Sequence, residues 1–134
     1  MADAVTSQTI LDGERLFIGK FTNISDGTGE VGALKIDVST LSASAAGNAC
    51  NGVKINKVWA QTQGMGVDIL WDATTDLLCD TIPADQLYML DYSSFGGLPN
   101  NAGTGKTGDV LFSTVGAASG DRYTIVIEAI KTYA

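Results

Sequence analysis

Histidine is absent from this chain of 134 residues, and cysteine and proline occur only twice each. Without imidazole, neither a Ser-His nor a Cys-His nucleophile pair can be assembled. Without histidine or a Cys-x-x-Cys spacing, the soft ligands of a zinc site are too few. Cys50 lies in a Ser/Ala/Gly stretch and Cys79 in a strand-like run. Both are expected to be reduced, small, structural side chains. A bridge would require their Cα atoms to come within reach, and synthesis in the cytoplasm argues against one. No apolar run approaches the roughly 18–20 residues of a membrane span. The opening residues, MADAVTSQTILDGERL, have neither a basic n-region nor an apolar h-region, so no secretory signal is expected. Lysine and glutamate, which usually cover exposed helix faces, are also few.

What is abundant is glycine, with Thr, Ser, Val and Ile. That composition suits many short strands joined by tight turns. Fifteen acidic residues against eight basic ones give a net charge of −7. Such a balance disfavours nucleic acid, whose affinity for proteins comes mostly from Lys and Arg on phosphates. Acidity of this size also serves plain solubility.

The centre of the chain is Gly52–Ala84. Val53, Ile55, Lys57 and Trp59 alternate with Lys54, Asn56, Val58 and Ala60; Val67, Ile69 and Trp71 alternate with Asp68, Leu70 and Asp72. A period of two over this length predicts half-buried strands. The Gln63-Gly64-Met65-Gly66 segment between the runs predicts a tight hairpin, and Leu77–Ile82 adds a third strand to an antiparallel meander. Elsewhere, Glu14–Ile24 is apolar on both faces, which predicts burial between two layers or at an interface. Val31–Ser39 alternates with Leu34, Ile36 and Val38 inward. Leu87–Tyr92 and Asp109–Thr114 are short strands. Asp121–Thr132 is the longest clean strand and is expected at the centre of a sheet. Ser39–Gly52 and Ser93–Gly108 are long surface loops, long enough to suspect contact with a partner.

The fold expected is therefore all-β: an antiparallel β-sandwich, jelly-roll-like, of about eight strands and at most one or two helical turns. Residues 1–13 read as an N-terminal arm and 14–134 as a single sandwich domain. The expected core is Leu34, Ile36, Val53, Ile55, Trp59, Val67, Ile69, Trp71, Tyr123, Ile125 and Ile127.

Three stretches imitate chemical sites. Gly103-Thr104-Gly105-Lys106-Thr107 resembles a phosphate loop, but the first glycine of that motif would fall at position 100, which is Asn100. The motif must also open a helix, whereas a strand follows here. Asp26 and Glu30 around a Gly-rich turn lack the further oxygen ligands of a calcium loop, so a plain hairpin turn is expected. Asp68, Asp72 and Asp76 read as solvated edge residues and not as a pair facing across a cleft. No enzyme activity, cofactor or metal is expected.

The phrases FTNISDGTGE at 21–30, KIDVSTLS at 35–42, GVKINKVWAQTQGMGVDILWDATTD at 52–76 and GGLPNNAGTGKTGDVLFSTVG at 96–116 together resemble small virion structural proteins of tailed bacteriophages. The resemblance implies a capsid decoration (cement) protein, or else a tail or neck component; the alternative, which exposed aromatics with polar neighbours would favour, is a sugar-binding host-attachment module on the same sandwich. It implies the virion as final location, the major capsid protein or other virion subunits as partners, and a homo-oligomer, with no nucleic acid or membrane bound. No functional residue is carried over from it. The residues themselves nominate Val5, Thr9, Ile10 and Leu11 on the arm, and Leu41, Phe95 and Leu98 in the loops, as partner contacts. An extended arm can add a strand to a neighbour's sheet edge.

Overall fold

The computed structural model describes residues 3–133, and within them every regular element is a strand or a single 3-10 turn. The strands are β1 (Ala4–Asp12), β2 (Leu16–Asp26), β3 (Ala33–Ile36), β4 (Cys50–Gln63), β5 (Gly66–Trp71), β6 (Leu77–Ile82), β7 (Leu87–Asp91), β8 (Val110–Val115) and β9 (Ser119–Tyr133). The 3-10 turns are Val38–Thr40 and Ser93–Phe95. The all-β expectation holds, and the strands form two antiparallel sheets. One has five strands in the order β1-β2-β9-β4-β7, the other four in the order β3-β8-β5-β6. β9 lies at the centre of the larger sheet, as its two apolar faces require.

The predicted central hairpin does not form. β4 pairs with β9 and β7, while β5 pairs with β8 and β6. Gly64-Met65 is thus a corner that carries the chain from one sheet to the other. Gly64 sits at φ +80°, where a side chain would be strained and would collide with the Asp121 carboxylate. Met65 turns inward and is fully buried. The Ser25–Gly29 turn is likewise a crossing and not a hairpin, because β2 and β3 belong to different sheets. Among consecutive strands only β1–β2 and β5–β6 pair with each other. Three further pairs are nested, β2 with β9, β3 with β8, and β4 with β7, all enclosing β5–β6; β4–β9 and β5–β8 complete the two sheets.

One core cluster draws side chains from both sheets. Phe21 of β2 meets Phe112 of β8 edge-on at 5.5 Å between ring centres, and Phe112 meets Tyr123 of β9 at 5.8 Å. Quadrupole attraction favours such edge contacts over stacked faces. Of the expected core, Ile36, Val53, Ile55, Val67, Ile69, Trp71, Tyr123, Ile125 and Ile127 are buried.

Trp59 and Leu34 are not in the core: they are 37 % and 51 % exposed. Both errors have one cause, a β-bulge. In β4, Ile55 opposes Ala129 and Lys57 opposes Glu128, so Asn56 is an extra residue. The alternation restarts one residue later, putting Val58 and Ala60 inside and Trp59 outside. In β3, Leu34 opposes Leu111 and Ile36 opposes Val110, so Lys35 is the extra residue and Leu34 turns out.

Lys35 turns inward because a carboxylate waits for it. Its Nζ lies 2.6 Å from Glu30 Oε2, with both side chains nearly inaccessible. Glu30 Oε1 accepts from the Tyr123 hydroxyl at 2.6 Å and from Asn23 Nδ2 at 2.7 Å. A buried charge is tolerable only when paired and hydrogen-bonded in this way. Burial first, and then the bond to Glu30 and its charge, raise the Tyr123 phenol well above its ordinary range.

The two tryptophans should therefore behave oppositely. Trp71, 1 % exposed, should lose about 3–5 kcal/mol on Trp71→Ala. Trp59→Ala should cost about 1 kcal/mol or less in the same urea titration.

Candidate protein-binding surface

β1 is the outermost strand of the five-stranded sheet, and every residue from Ala4 to Leu11 is exposed. One edge of β1 pairs with β2 from Ala4↔Ile24 to Asp12↔Phe17; among the described residues no strand lies beside the opposite edge. Edge strands normally carry a lysine, a proline or a strong bulge to discourage further pairing. β1 has no charged residue and no proline before Asp12, and its single irregularity lies between Thr9 and Leu11. A free row of main-chain donors and acceptors on such a strand is a template for one more strand.

The strand is held at both ends. At the C-terminal end the Lys131 ammonium is fully enclosed, 2.7 Å from Asp12 Oδ1. It also donates to Gly13 O at 2.9 Å, Ser42 O at 2.7 Å and Ser42 Oγ at 2.9 Å. One cation thus joins the β1–β2 turn, the loop after Thr40 and the end of β9. Burial opposes the charged forms, yet hydrogen bonding and mutual attraction prevail: the Asp12 carboxyl is lowered and the Lys131 ammonium raised. At the N-terminal end Asp3 accepts from Asn23 Nδ2 at 3.1 Å and from the backbone N–H groups of Asp26 and Gly29 at 3.1 and 3.2 Å. These bonds lower the Asp3 carboxyl against the opposing effect of burial.

The seven nominated contact residues fall into two groups. Val5, Thr9, Ile10 and Leu11 all lie on β1 and all are exposed. Leu41 is half-buried, packs against the core, and shares with Thr9 a groove of about 120 Å³ between β1 and the Val38–Thr40 turn. Phe95 and Leu98 belong elsewhere, on the β7 side of β4. Leu98 is bridged to Ile55 by two backbone bonds of 2.8 and 3.1 Å, so it pins the loop as a short strand would. Phe95 does not pin it: it is largely exposed, with its ring tilted against Tyr92 at 6.0 Å. The arm itself pairs with its own β2 and leaves its outer edge for a neighbour.

The lysine of the phosphate-loop imitation, Lys106, lines a cleft of mixed polar and apolar walls, about 610 Å³, with Asn51, Lys54, Pro99, Asn100 and Tyr133. The segment runs into β8, so no helix N-terminus points at this cleft. Among the described residues no group of three or more His, Cys, Asp or Glu is placed to hold a metal ion. Both cysteines are free; Cys50 is buried and Cys79 half-buried. Burial first, then the charge of Asp80, pushes the Cys79 thiol up to about 12. The residues sequence reasoning missed are Asp3, Asp12, Ser42 and Lys131. They are scattered along the chain, and no local pattern joins them. A comparison of the chain with known protein families, curated proteins and solved structures finds no match.

Two outcomes follow from these charges. A depressed Asp12 contributes stability that is full above the ordinary carboxylate range of about 3.9 and lost as pH falls through its folded value. A raised Lys131 contributes stability that is full below about 10.4 and lost as pH rises through its folded value. Lys131→Met should cost about 3 kcal/mol at neutral pH and flatten the urea-midpoint profile at both extremes. Separately, the Cys79 thiol should react with a disulfide reagent at about pH 8 at least ten times more slowly than free cysteine, read by absorbance.

Proposed function

We propose that the chain is a virion structural protein of the capsid-decoration kind, built as a jelly-roll β-sandwich, which acts by binding other protein subunits and not by catalysis. The jelly-roll reading is supported by the nested pairing of β2 with β9, β3 with β8, β4 with β7 and β5 with β6. Rolling up such a nested ribbon brings β9 beside β4 and β8 beside β5, the two remaining contacts. Eight strands in two Greek keys give this order, and virus capsid domains and lectins both use it. The fold alone therefore does not choose between virion scaffold and sugar binding.

The observation that carries the reading is β1: a nine-residue edge strand, exposed along its length, uncharged before its last residue, and anchored by Lys131. An edge without lysine or proline, bulged only at Ile10, suits strand addition by a capsid subunit or another virion protein, where main-chain bonds supply affinity and Val5, Ile10 and Leu11 supply apolar contact. The sugar-binding alternative would use Trp59, which faces Met89 and Val126 across the strands, with Gln61 and Thr124 lining the same hollow.

Val5→Lys together with Ile10→Lys places cations on the strand without removing any anchoring bond. The doubly substituted protein should keep its melting temperature within a few degrees and bind particles stripped of this protein at least ten times more weakly. Particle occupancy equal to that of the parent chain, measured by co-sedimentation, would dismiss β1 as the attachment strand.

A further inference from the structure

The two sheets turn outer faces of opposite character to the surroundings. On the four-stranded sheet, Leu34 of β3 opposes Leu111 of β8, Leu111 opposes Leu70 of β5, and Leu70 opposes Leu78 of β6. Four leucines thus form one row across the whole sheet, with Leu34 and Leu78 each about half exposed at its ends. The row is flanked by carboxylates: Asp68 on one side, and Asp72, Asp109 and Asp37 towards the other end of the strands. The four strands carry a single cation, Lys35, and it is consumed inside by Glu30. Burial first, and then the neighbouring charges of Asp37 and Asp72, raises the Asp109 carboxyl.

The outer face of the five-stranded sheet is the converse. Trp59 opposes Met89 on one side and Val126 on the other, and Leu87 follows on the edge strand. These residues enclose a shallow apolar hollow of about 290 Å³. Around it, on the same face by register, stand Lys20, Lys54, Lys57 and Arg122, against the carboxylates Glu128 and Asp91. In a chain of net charge −7, four cations against two carboxylates make this face locally positive.

We propose that copies of this chain associate head to tail, the basic, Trp59-centred face of one copy covering the leucine row and flanking aspartates of the next. The contact joins unlike faces, so it is heterologous: repeated, it closes a ring or runs on as a stack. The opposite signs rule out like-on-like packing of either face, where the charges would repel. A face four strands wide and six residues long measures roughly 19 by 20 Å from strand spacing and rise, which places the buried area below about 1,200 Å². Free copies therefore associate weakly, in a salt-dependent way, and firmly only where something else gathers them. The inference does not rest on the proposed virion role.

Two surface variants test it. Trp59→Thr with Met89→Thr spoils the basic face; Leu34→Thr with Leu78→Thr spoils the leucine row. Sedimentation velocity at low salt, at concentrations up to about 1 mM, reads the result. The parent chain should form concentration-dependent oligomers, each variant alone should stay monomeric, and an equal mixture of the two should give dimers and nothing larger. A monomeric parent chain would overturn the proposal. So would either variant that still self-associates like the parent, or a mixture that does not pair. Should a threonine variant fail to fold by circular dichroism, Lys20→Glu with Lys57→Glu spoils the basic face without touching apolar surface. Association of that protein should weaken tenfold or more, and unchanged association would count against the proposal.

Discussion

The buried carboxylate of Glu30 constrains more of this molecule than any other group. It must be compensated where little water reaches it, and it collects Lys35, Tyr123 and Asn23 for the purpose. Bringing Lys35 inward requires the bulge in β3, and the bulge turns Leu34 outward. Leu34 then completes the leucine row across the four-stranded sheet. An interior electrostatic requirement thus determines the chemistry of an exterior face. The same linkage couples the consecutive strands β2 and β3, which belong to different sheets, with β9, remote from both in sequence.

A second cation does for β1 what Lys35 does for β3. Lys131 holds Asp12, Gly13 and Ser42 around one ammonium group. Those contacts make the first strand part of the sheet while its far edge is left unpaired. A strand that is rigid on one side and unsatisfied on the other loses little conformational entropy when a partner strand arrives. This is the physical content of reading β1 as an attachment element. The outer sheet faces differ from it in kind: they offer side chains and charge, where β1 offers main-chain hydrogen bonds.

Much of the fold was legible in the residues. Period-two alternation and strand-forming residue types together located eight of the nine strands, and the double-faced apolar pattern of 121–132 placed β9 at the sheet centre. Val53, Ile55, Val67, Ile69 and Trp71 were assigned inward correctly because no bulge interrupts the alternation within their stretches. Trp59 and Leu34 were misassigned because alternation carries no memory of an inserted residue: Asn56 and Lys35 each shift everything on one side of them by one face. The candidate surface was half legible. Val5, Ile10 and Leu11 stood out as apolar residues outside any expected core, but nothing local indicated that Phe95 and Leu98 would lie on the β7 side of the sheet, far from them.

The sequence by itself determined composition class and periodicity: an all-β chain, acidic, lacking the imidazole on which Ser-His and Cys-His nucleophile pairs depend. These are properties of the residues and of near neighbours along the chain. Only the tertiary structure decided which strands pair, because Gln63–Gly66 suits a hairpin and a corner equally well. A glycine at positive φ serves both. Only the tertiary structure paired Lys35 with Glu30 and Lys131 with Asp12. The second pair is 119 positions apart, and a buried charge finds its partner through space and not along the chain.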